Sequence, residues 1–280
     1  MTLVDVFQHL LLTIYLLMNY TNQTDLFSLQ DKVALVSGGS GDIGLALAKA
    51  MAKAGASIAL NGTSQAKLDK AGRELESLGA RVALLKADIS KASECTRLAQ
   101  EAQAAFGRID ILVNCAGINR RKPILEITED DYNAIMDVHV RGSYFLSQAV
   151  APIMIGQGGG KIIHIGSLNI KIGLADISVY GVAKAGLDQL TRVQAVEWAQ
   201  HNIQVNCLSP GFIETDLTRV GLWQNEKRSK WILERTPMKR PGYADEMAGV
   251  MLLLASNASS FLTGQTIYVD GGVLAGSAWW

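Results

Sequence analysis

A tyrosine and a lysine stand four residues apart, at Tyr180 and Lys184. On a helix this spacing places both side chains on one face. A tyrosine hydroxyl ordinarily has a pKa of about 10, and a neighbouring cation favours its phenolate, so such a pair suits proton transfer near neutral pH. Ser167 comes 13 residues before Tyr180, directly after a short apolar run, and adds a second hydroxyl. Together the three residues predict a general acid–base site.

A glycine-rich segment at residues 37–44, Ser-Gly-Gly-Ser-Gly-Asp-Ile-Gly, follows the first apolar run of the chain. Glycines allow a sharp turn and let the backbone approach a bound pyrophosphate. The helical pattern that follows would supply amide groups at a helix N-terminus, which favour anions. The segment therefore predicts a loop that binds a dinucleotide.

The elements that position these residues are short apolar runs that alternate with longer helical stretches. Seven runs are predicted as strands: Val33–Ser37, Ser57–Leu60, Val82–Lys86, Ile111–Cys115, Lys161–Gly166, Ile203–Leu208 and Thr266–Val269. Their continuous apolar character favours strands buried on both faces. The alternation predicts an α/β fold, a single doubly wound Rossmann domain with a seven-stranded parallel sheet and helices on both faces. Such a sheet binds its ligand at the carboxyl ends of its strands.

The order of the motifs resembles the short-chain dehydrogenase/reductase family over about residues 30–275. After the glycine-rich loop come Asp88, the segment 114–117 (Asn-Cys-Ala-Gly), the Ser167, Tyr180 and Lys184 set, Pro210-Gly211 and the segment 270–272 (Asp-Gly-Gly). The resemblance implies an NAD(P)-dependent oxidoreductase that interconverts a secondary alcohol and a ketone. It implies that Tyr180 transfers the proton, that Lys184 also orients the nicotinamide ribose, and that Ser167 bonds the substrate oxygen.

The same resemblance implies a set of cofactor-binding residues spread over the ends of the strands. They are Gly38, Ser40, Asp42, Ile43 and Gly44 at the phosphates, Asp88 and Ile89 at the adenine, Asn114, Ala116 and Gly117 at the adenosine ribose, Tyr180 and Lys184 at the nicotinamide ribose, and Pro210, Gly211, Ile213 and Thr215 at the carboxamide.

The chain departs from the family pattern at two of these places. Asp42 replaces a loop glycine, and His139 stands where the family usually has an asparagine that completes the catalytic set. In the family the main-chain carbonyl at that position is thought to hold a water that links the lysine to solvent. A carbonyl survives substitution, so we expect His139 to serve in the same way. The alternative is a catalytically weak scaffold that binds a dinucleotide.

The end of the second strand bears on the choice of cofactor. An NAD enzyme needs a carboxylate there to bind the ribose 2′-hydroxyl, and Gly62 stands at that place between Asn61 and Thr63. Small polar groups with open space tolerate a 2′-phosphate better than a carboxylate would. We therefore expect Asn61 and Thr63 to contact the cofactor, and NADP(H) to be favoured, with NAD(H) possible.

Residues 118–123, Ile-Asn-Arg-Arg-Lys-Pro, resemble the sugar-acid branch of the family, the gluconate 5-dehydrogenases. The irregular stretch at 211–242 is a candidate lid, and within 214–240 basic residues exceed acidic residues by three. A basic lid suits a carboxylate substrate. A solvated charged helix explains the excess of basic residues equally well. Trp223 and Trp231 would wall the pocket or anchor the lid. A 3-oxoacyl-(acyl-carrier-protein) reductase is the alternative activity, since it shares every catalytic motif.

Composition narrows the remaining classes. The 280 residues are 49% hydrophobic and carry no formal net charge, so no global field attracts nucleic acid or a membrane. Three cysteines, an odd number at wide spacings, form neither a disulfide framework nor a metal site, which favours a cytoplasmic protein without metal. The family resemblance implies a homotetramer or homodimer that acts on a small-molecule substrate.

The N-terminal segment differs from the rest of the chain. Residues 1–31 contain no Lys or Arg, and the apolar run Leu10–Met18 is too short to span a membrane. We expect 1–31 to be an extension and 32–280 the dehydrogenase domain. The extension would be a helix that packs on a partner or a membrane surface, or a segment without a role.

Overall fold

The computed structural model describes residues 26–276, in which seven strands form one parallel sheet. Their order is β3-β2-β1-β4-β5-β6-β9. The strands are β1 (Val33–Ser37), β2 (Ser57–Gly62), β3 (Val82–Lys86), β4 (Ile111–Asn114), β5 (Gly160–Ile165), β6 (Ile203–Pro210) and β9 (Thr266–Val269). A separate two-stranded sheet pairs β7 (Ile213–Glu214) with β8 (Gly242–Tyr243). The predicted fold class is confirmed.

The described residues form eight helices of eight residues or more, seven of them around the sheet and one, Glu226–Arg235, in the candidate lid. They are α1 (Asp42–Lys53), α2 (Gln65–Glu76), α3 (Ala92–Phe106), α4 (Glu129–Met136), α5 (Gly142–Gly156), α6 (Ser178–Trp198), α7 (Glu226–Arg235) and α8 (Ala248–Ala255). Alternate residues of β1 point to opposite faces, so Ala34 and Val36 join one core cluster and Leu35 joins another. The first core includes residues of α1, α2 and α8, and the second includes residues of α3 and α5.

Three of the predicted strands, those at β1, β3 and β9, have the predicted bounds. β2 and β6 run two residues further, because pairing continues to Gly62 beside β3 and to Pro210 beside β9. Burial on both faces holds for the interior strands β1, β4 and β6 but not for β3 and β9, whose residues are mostly half-buried. These two strands form the edges of the sheet and have a neighbour on one side only.

The strand order reverses direction beside β1, which lies between β2 and β4. The loops that leave β1 and β4 therefore diverge and open a crevice at the carboxyl ends of the strands. Ser37 and Asn114, the last residues of these two strands, are register partners. This is where the glycine-rich loop and the segment 114–117 meet.

The candidate lid at 211–242 is largely structured: it contains β7, a helical turn at Asp216–Thr218, α7 and the start of β8. Residues 1–25 of the expected N-terminal extension lie outside the described residues. Leu29 is buried and its amide donates to the carbonyl of Ala54, so packing of the domain begins before residue 32. Within 26–276, no helix combines the length and apolar character needed to cross a membrane.

Candidate functional site

The glycine-rich loop is held between β2 and β4. The amide of Gly39 donates to the carbonyl of Asn61 at 2.8 Å, and the Ser37 hydroxyl accepts from the amide of Cys115 at 3.1 Å. Gly38 adopts a φ of 65°, and a Cβ there would lie 2.6 Å from the Cα of Ala116. The loop therefore needs glycine at residue 38, both for its backbone conformation and for its close contact with the 114–117 segment.

A dinucleotide fits the groups that this crevice presents. A Cβ at Gly44 would lie 2.4 Å from the carbonyl oxygen of Gly38, so α1 begins tightly against the loop with its N-terminal amides at the crevice. Five buried side-chain polar atoms have no partner within residues 26–276, and four of them belong to the segments of the predicted site. These four are Asn114 Oδ1, Asn119 Oδ1, His139 Nδ1 and Ser178 Oγ. Buried polar atoms without protein partners are suited to a polar ligand.

The structure separates the predicted contacts at the end of β2. The Asn61 side chain is buried and donates to the carbonyls of Leu85 and Ala87, at 3.0 Å and 3.1 Å, so it joins β2 to β3. What Asn61 contributes to the crevice is its carbonyl, which anchors Gly39. Gly62 is buried against the Ser40 hydroxyl, while Thr63 is exposed beyond the end of the strand.

The predicted adenine contacts lie directly after β3. The Asp88 carboxylate accepts hydrogen bonds from the amide and hydroxyl of Ser90, and Ile89 is buried against Gly142 at the start of α5. Asp42, by contrast, is exposed, and its carboxylate accepts a hydrogen bond from the amide of Asp216 in the lid. The residue that replaces a loop glycine thus joins the loop to the lid.

The lid residues predicted to seat the carboxamide lie together after β6. Pro210 ends that strand, and a Cβ at Gly211 would lie 2.5 Å from the Cα of Asp270. Ile213 is buried in β7, and Thr215 caps the following helical turn with its hydroxyl. The predicted Asp270–Gly272 motif therefore packs against the start of the lid at Gly211.

The predicted acid–base residues converge at the carboxyl end of β5. Ser167 follows that strand, is 7% exposed, and bonds with both the side chain and the amide of Asn169. Tyr180 and Lys184 lie in the first two turns of α6, with Lys184 Nζ 5.5 Å from the centroid of the Tyr180 ring. The Lys184 ammonium donates to the carbonyl of Ile165 at 2.6 Å, which ties the helix to β5.

His139 lies in a π-helical segment, Asp137–Arg141, and packs edge-on against the Tyr180 ring with a centroid separation of 5.4 Å. Its Nε2 lies 2.8 Å from the carbonyl oxygen and 3.1 Å from the amide nitrogen of Ile118. Burial, followed by the charge of Lys184, lowers the pKa of His139 to about 3. The Nε2 atom of a neutral imidazole serves only one of these two Ile118 groups at a time, because it is either a donor or an acceptor.

We expect His139→Asn to change turnover by less than about tenfold, or about 1.4 kcal/mol of barrier, because the main-chain carbonyl is kept. We also expect the wild-type rate profile between pH 5 and 9 to show no inflection from this imidazole, since it is already neutral there. A pH–rate comparison of the two proteins checks both statements. A gain above about a hundredfold in the variant would show that His139 disables the proton relay.

A buried polar chain that the sequence analysis did not identify connects the crevice to α6. Asn114 Nδ2 donates to Ser147 Oγ at 3.0 Å and lies 3.2 Å from His164 Nδ1, and His164 Nε2 lies 2.9 Å from Gln194 Oε1. Burial lowers the pKa of His164 to about 4, so its ring is neutral. These side chains hold Asn114 in place beneath the crevice. The available signal was His164, a polar residue within the otherwise apolar run 162–165 of β5.

Three of the seven basic residues in 214–240 form ion pairs. Arg219, Arg228 and Arg240 form ion pairs with Asp216, Asp176 and Glu246 at 2.6–3.0 Å. Trp231 stacks edge-on with Phe212 and lies under the Arg235 guanidinium, and the Trp223 ring nitrogen points to the carbonyl of Ile213. The tryptophans therefore anchor the lid, and protein carboxylates pair with three of its seven basic residues.

Arg121, in the 118–123 segment, is different. Arg120 and Lys122 on either side of it pair with Asp131, at 3.0 Å and 2.5 Å. Arg121 is half-buried, and no carboxylate of residues 26–276 lies within ion-pair distance of it. Burial, with the charge of Arg228 adding to it, holds the pKa of Arg121 below its ordinary value, and Tyr180 is among the groups near enough to act on it.

Comparison with known proteins places this geometry in a family. Residues 39–274 match the family model described as enoyl-(acyl carrier protein) reductase. Gluconate 5-dehydrogenase of Gluconobacter oxydans is 38% identical over 89% of this chain and 97% of its own length. 3-Oxoacyl-(acyl-carrier-protein) reductase of Chlamydia pneumoniae is 36% identical over 88% of this chain and 98% of its own.

A solved structure is similarly close. The gluconate 5-dehydrogenase of Burkholderia cenocepacia, in complex with NADP and tartrate, superposes with a TM-score of 0.86 at 38% identity, over 90% of this chain and 98% of that one. The matching family, the relatives and the shared fold agree with the sequence motifs. The chain is an oxidoreductase and belongs to the short-chain dehydrogenase/reductase family.

Proposed function

We propose that this enzyme interconverts a secondary alcohol and a ketone on a sugar acid of the gluconate class, with NADP(H) as its cofactor. The observation that carries the substrate class is Arg121, a half-buried guanidinium near Tyr180 that the described protein leaves without a carboxylate. A guanidinium of this kind binds a substrate carboxylate with two parallel hydrogen bonds. Two of the relatives are gluconate 5-dehydrogenases, and one of these was solved with the hydroxy acid tartrate.

In this proposal the crevice residues would hold the cofactor, which would supply or accept the hydride. The α1 amides and Gly38 would hold the phosphates, and Asn114 Oδ1, a buried acceptor without a partner among residues 26–276, would bond the adenosine ribose. Lys184 would bond the nicotinamide ribose. The protein's own contribution is position and charge.

Proton transfer is assigned to Tyr180. Its hydroxyl donates to the carbonyl oxygen in reduction, and its phenolate accepts the alcohol proton in oxidation. The Lys184 ammonium lies 5.5 Å from the centroid of the Tyr180 ring, on the same helix. The Ser167 hydroxyl, buried at the end of β5, bonds the same substrate oxygen and orients it. We assign to the main-chain carbonyl of His139 the continuation of the proton path from Lys184.

The test is a panel of 5-ketogluconate, neutral ketoses and an acetoacetyl thioester, each with NADPH and NADH. We expect kcat/KM to be highest for 5-ketogluconate with NADPH. Highest activity on the thioester would favour the 3-oxoacyl-(acyl-carrier-protein) reductase alternative, which one of the relatives represents. Dinucleotide binding without turnover on any member of the panel would favour the scaffold hypothesis.

The preference for NADPH has its own prediction. Because Gly62 offers no carboxylate, we expect NADPH to bind more tightly than NADH, and Gly62→Asp to reverse the preference by repelling the 2′-phosphate. A Cβ at Gly62 would lie 2.6 Å from Ser40 Oγ, so the hydroxyl must turn aside in any such variant. Gly62→Asn carries the same steric change without the charge and should keep the NADPH preference. Fluorescence titration of both cofactors measures it, and a tenfold wild-type preference for NADH would contradict it.

We also infer that the protein forms a homodimer or homotetramer in the cytoplasm. Exposed apolar side chains lie along α6 and α5: Val182, Val193, Val196, Tyr144 and Ile155. Such a surface is typical of a contact between subunits. All three cysteines are free thiols, which suits a reducing compartment. Light scattering at micromolar concentration tests the association, and a monomer mass would refute it.

A further inference from the structure

Asp176 lies in the loop between β5 and α6, four residues before Tyr180, and has a φ of 66°. This left-handed conformation is costly for residues other than glycine, although aspartate and asparagine tolerate it better than most. The Asp176 carbonyl accepts from the amide of Lys122 at 2.9 Å, and its carboxylate accepts from Arg228 at 3.0 Å. One strained residue therefore joins the 118–123 segment and α7 to the start of the helix that carries Tyr180.

Two guanidiniums converge beside this residue, at Gly221. Arg228 donates to the Gly221 carbonyl at 3.1 Å, and a Cβ at Gly221 would lie 3.4 Å from Arg121 Nε. Arg228 is paired with Asp176, whereas Arg121 has no carboxylate partner among residues 26–276. The group of Arg121, Arg228 and Asp176 thus carries one uncompensated positive charge.

We propose that Asp176 is a specificity-determining residue: by pairing with Arg228 it limits the uncompensated charge to one guanidinium, Arg121, and so adapts the site to substrates with a single carboxylate. This inference rests on the proposed function, because it takes Arg121 as the group that meets the substrate carboxylate. Without the Asp176 charge, Arg228 becomes available to a second anionic group. Substrates with two carboxylates therefore gain affinity relative to substrates with one.

Asp176→Asn separates charge from structure. Asparagine also tolerates the left-handed conformation, so the backbone bond to Lys122 should be kept. Calorimetry with the NADPH-saturated enzyme, in which these alcohols cannot be oxidised, measures dissociation constants for gluconate, its dicarboxylate counterpart glucarate, and neutral sorbitol. We expect the variant to shift the glucarate-to-gluconate affinity ratio about tenfold in favour of glucarate, with sorbitol unchanged.

Two further variants complete a double-mutant cycle on Asp176 and Arg228. Arg228→Gln leaves Asp176 free to neutralise Arg121, so gluconate binding should weaken about tenfold. The double variant Asp176→Asn/Arg228→Gln restores a single positive charge and should return the affinity ratio to within about threefold of wild type. Asp216→Asn is the matched control: it removes another lid carboxylate, paired with Arg219 at 2.7 Å, and should leave the ratio unchanged.

The outcomes distinguish this inference from the proposed function. If wild type binds gluconate but Asp176→Asn leaves the ratio within twofold, the Asp176 inference is overturned and the proposed function stands. Equal weakening of all three ligands, sorbitol included, would show a purely structural role and overturn it as well. If wild type binds neither acid, the proposed function fails and takes the inference with it.

Discussion

Tyr180→Phe should reduce turnover by at least the 10²–10⁴-fold that general acid–base catalysis supplies, while cofactor affinity stays within about twofold. The substitution removes the hydroxyl and keeps the ring, so the edge-on contact with His139 and the approach of Lys184 to the ring are retained. Single-turnover rates with 5-ketogluconate and a fluorescence titration of NADPH measure the two quantities separately.

Tyr144→Phe is the matched control, because Tyr144 is an exposed tyrosine on α5. It should leave turnover unchanged within about twofold. If Tyr180→Phe retains more than about a tenth of wild-type activity, Tyr180 is not the proton donor and another group near Ser167 must be sought.

Arg121→Gln should raise the KM for 5-ketogluconate by about tenfold to a hundredfold, since a hydrogen bond to a charged group contributes about 1.5–3 kcal/mol. Values of kcat/KM for a neutral ketose should change little, because no carboxylate is present to meet the guanidinium. The KM of Arg121→Lys for 5-ketogluconate should lie between those of wild type and Arg121→Gln, because a lysine keeps the charge but loses the bidentate geometry. Steady-state kinetics on both substrates gives the comparison.

The melting temperature provides an independent check on Arg121→Gln. The Arg121 charge is half-buried near that of Arg228, so its removal should leave the melting temperature unchanged or higher. Arg120→Gln, which loses an exposed partner of Asp131 on the same segment, should leave the KM within about twofold. An equal loss on neutral and acidic substrates in Arg121→Gln would assign Arg121 a structural role and remove the main support for a sugar-acid substrate.

The sheet and the crevice could be predicted from the sequence because their signals are local. Val33–Ser37 is a short apolar run followed by two glycines, and burial in a parallel sheet favours such a continuous apolar run. The glycine-rich loop could be predicted for a similar reason. The backbone at Gly38 leaves no room for a side chain beside Ala116, so glycine is required there and is visible in the sequence. The Tyr180 and Lys184 pair depends only on helical spacing, which the sequence shows directly.

The pairing of charges was decided by the tertiary structure. The sequence shows a cluster of basic residues in 214–240, yet Arg228 of that cluster pairs with Asp176, which is 52 residues away, while Arg121, outside the cluster, has no carboxylate partner among residues 26–276. His139 likewise contacts Ile118, 21 residues away, through one ring nitrogen. These partners come together because the crossovers of a parallel sheet bring distant loops to one edge of the sheet. Spacing along the chain does not predict which of several cations a carboxylate will contact there.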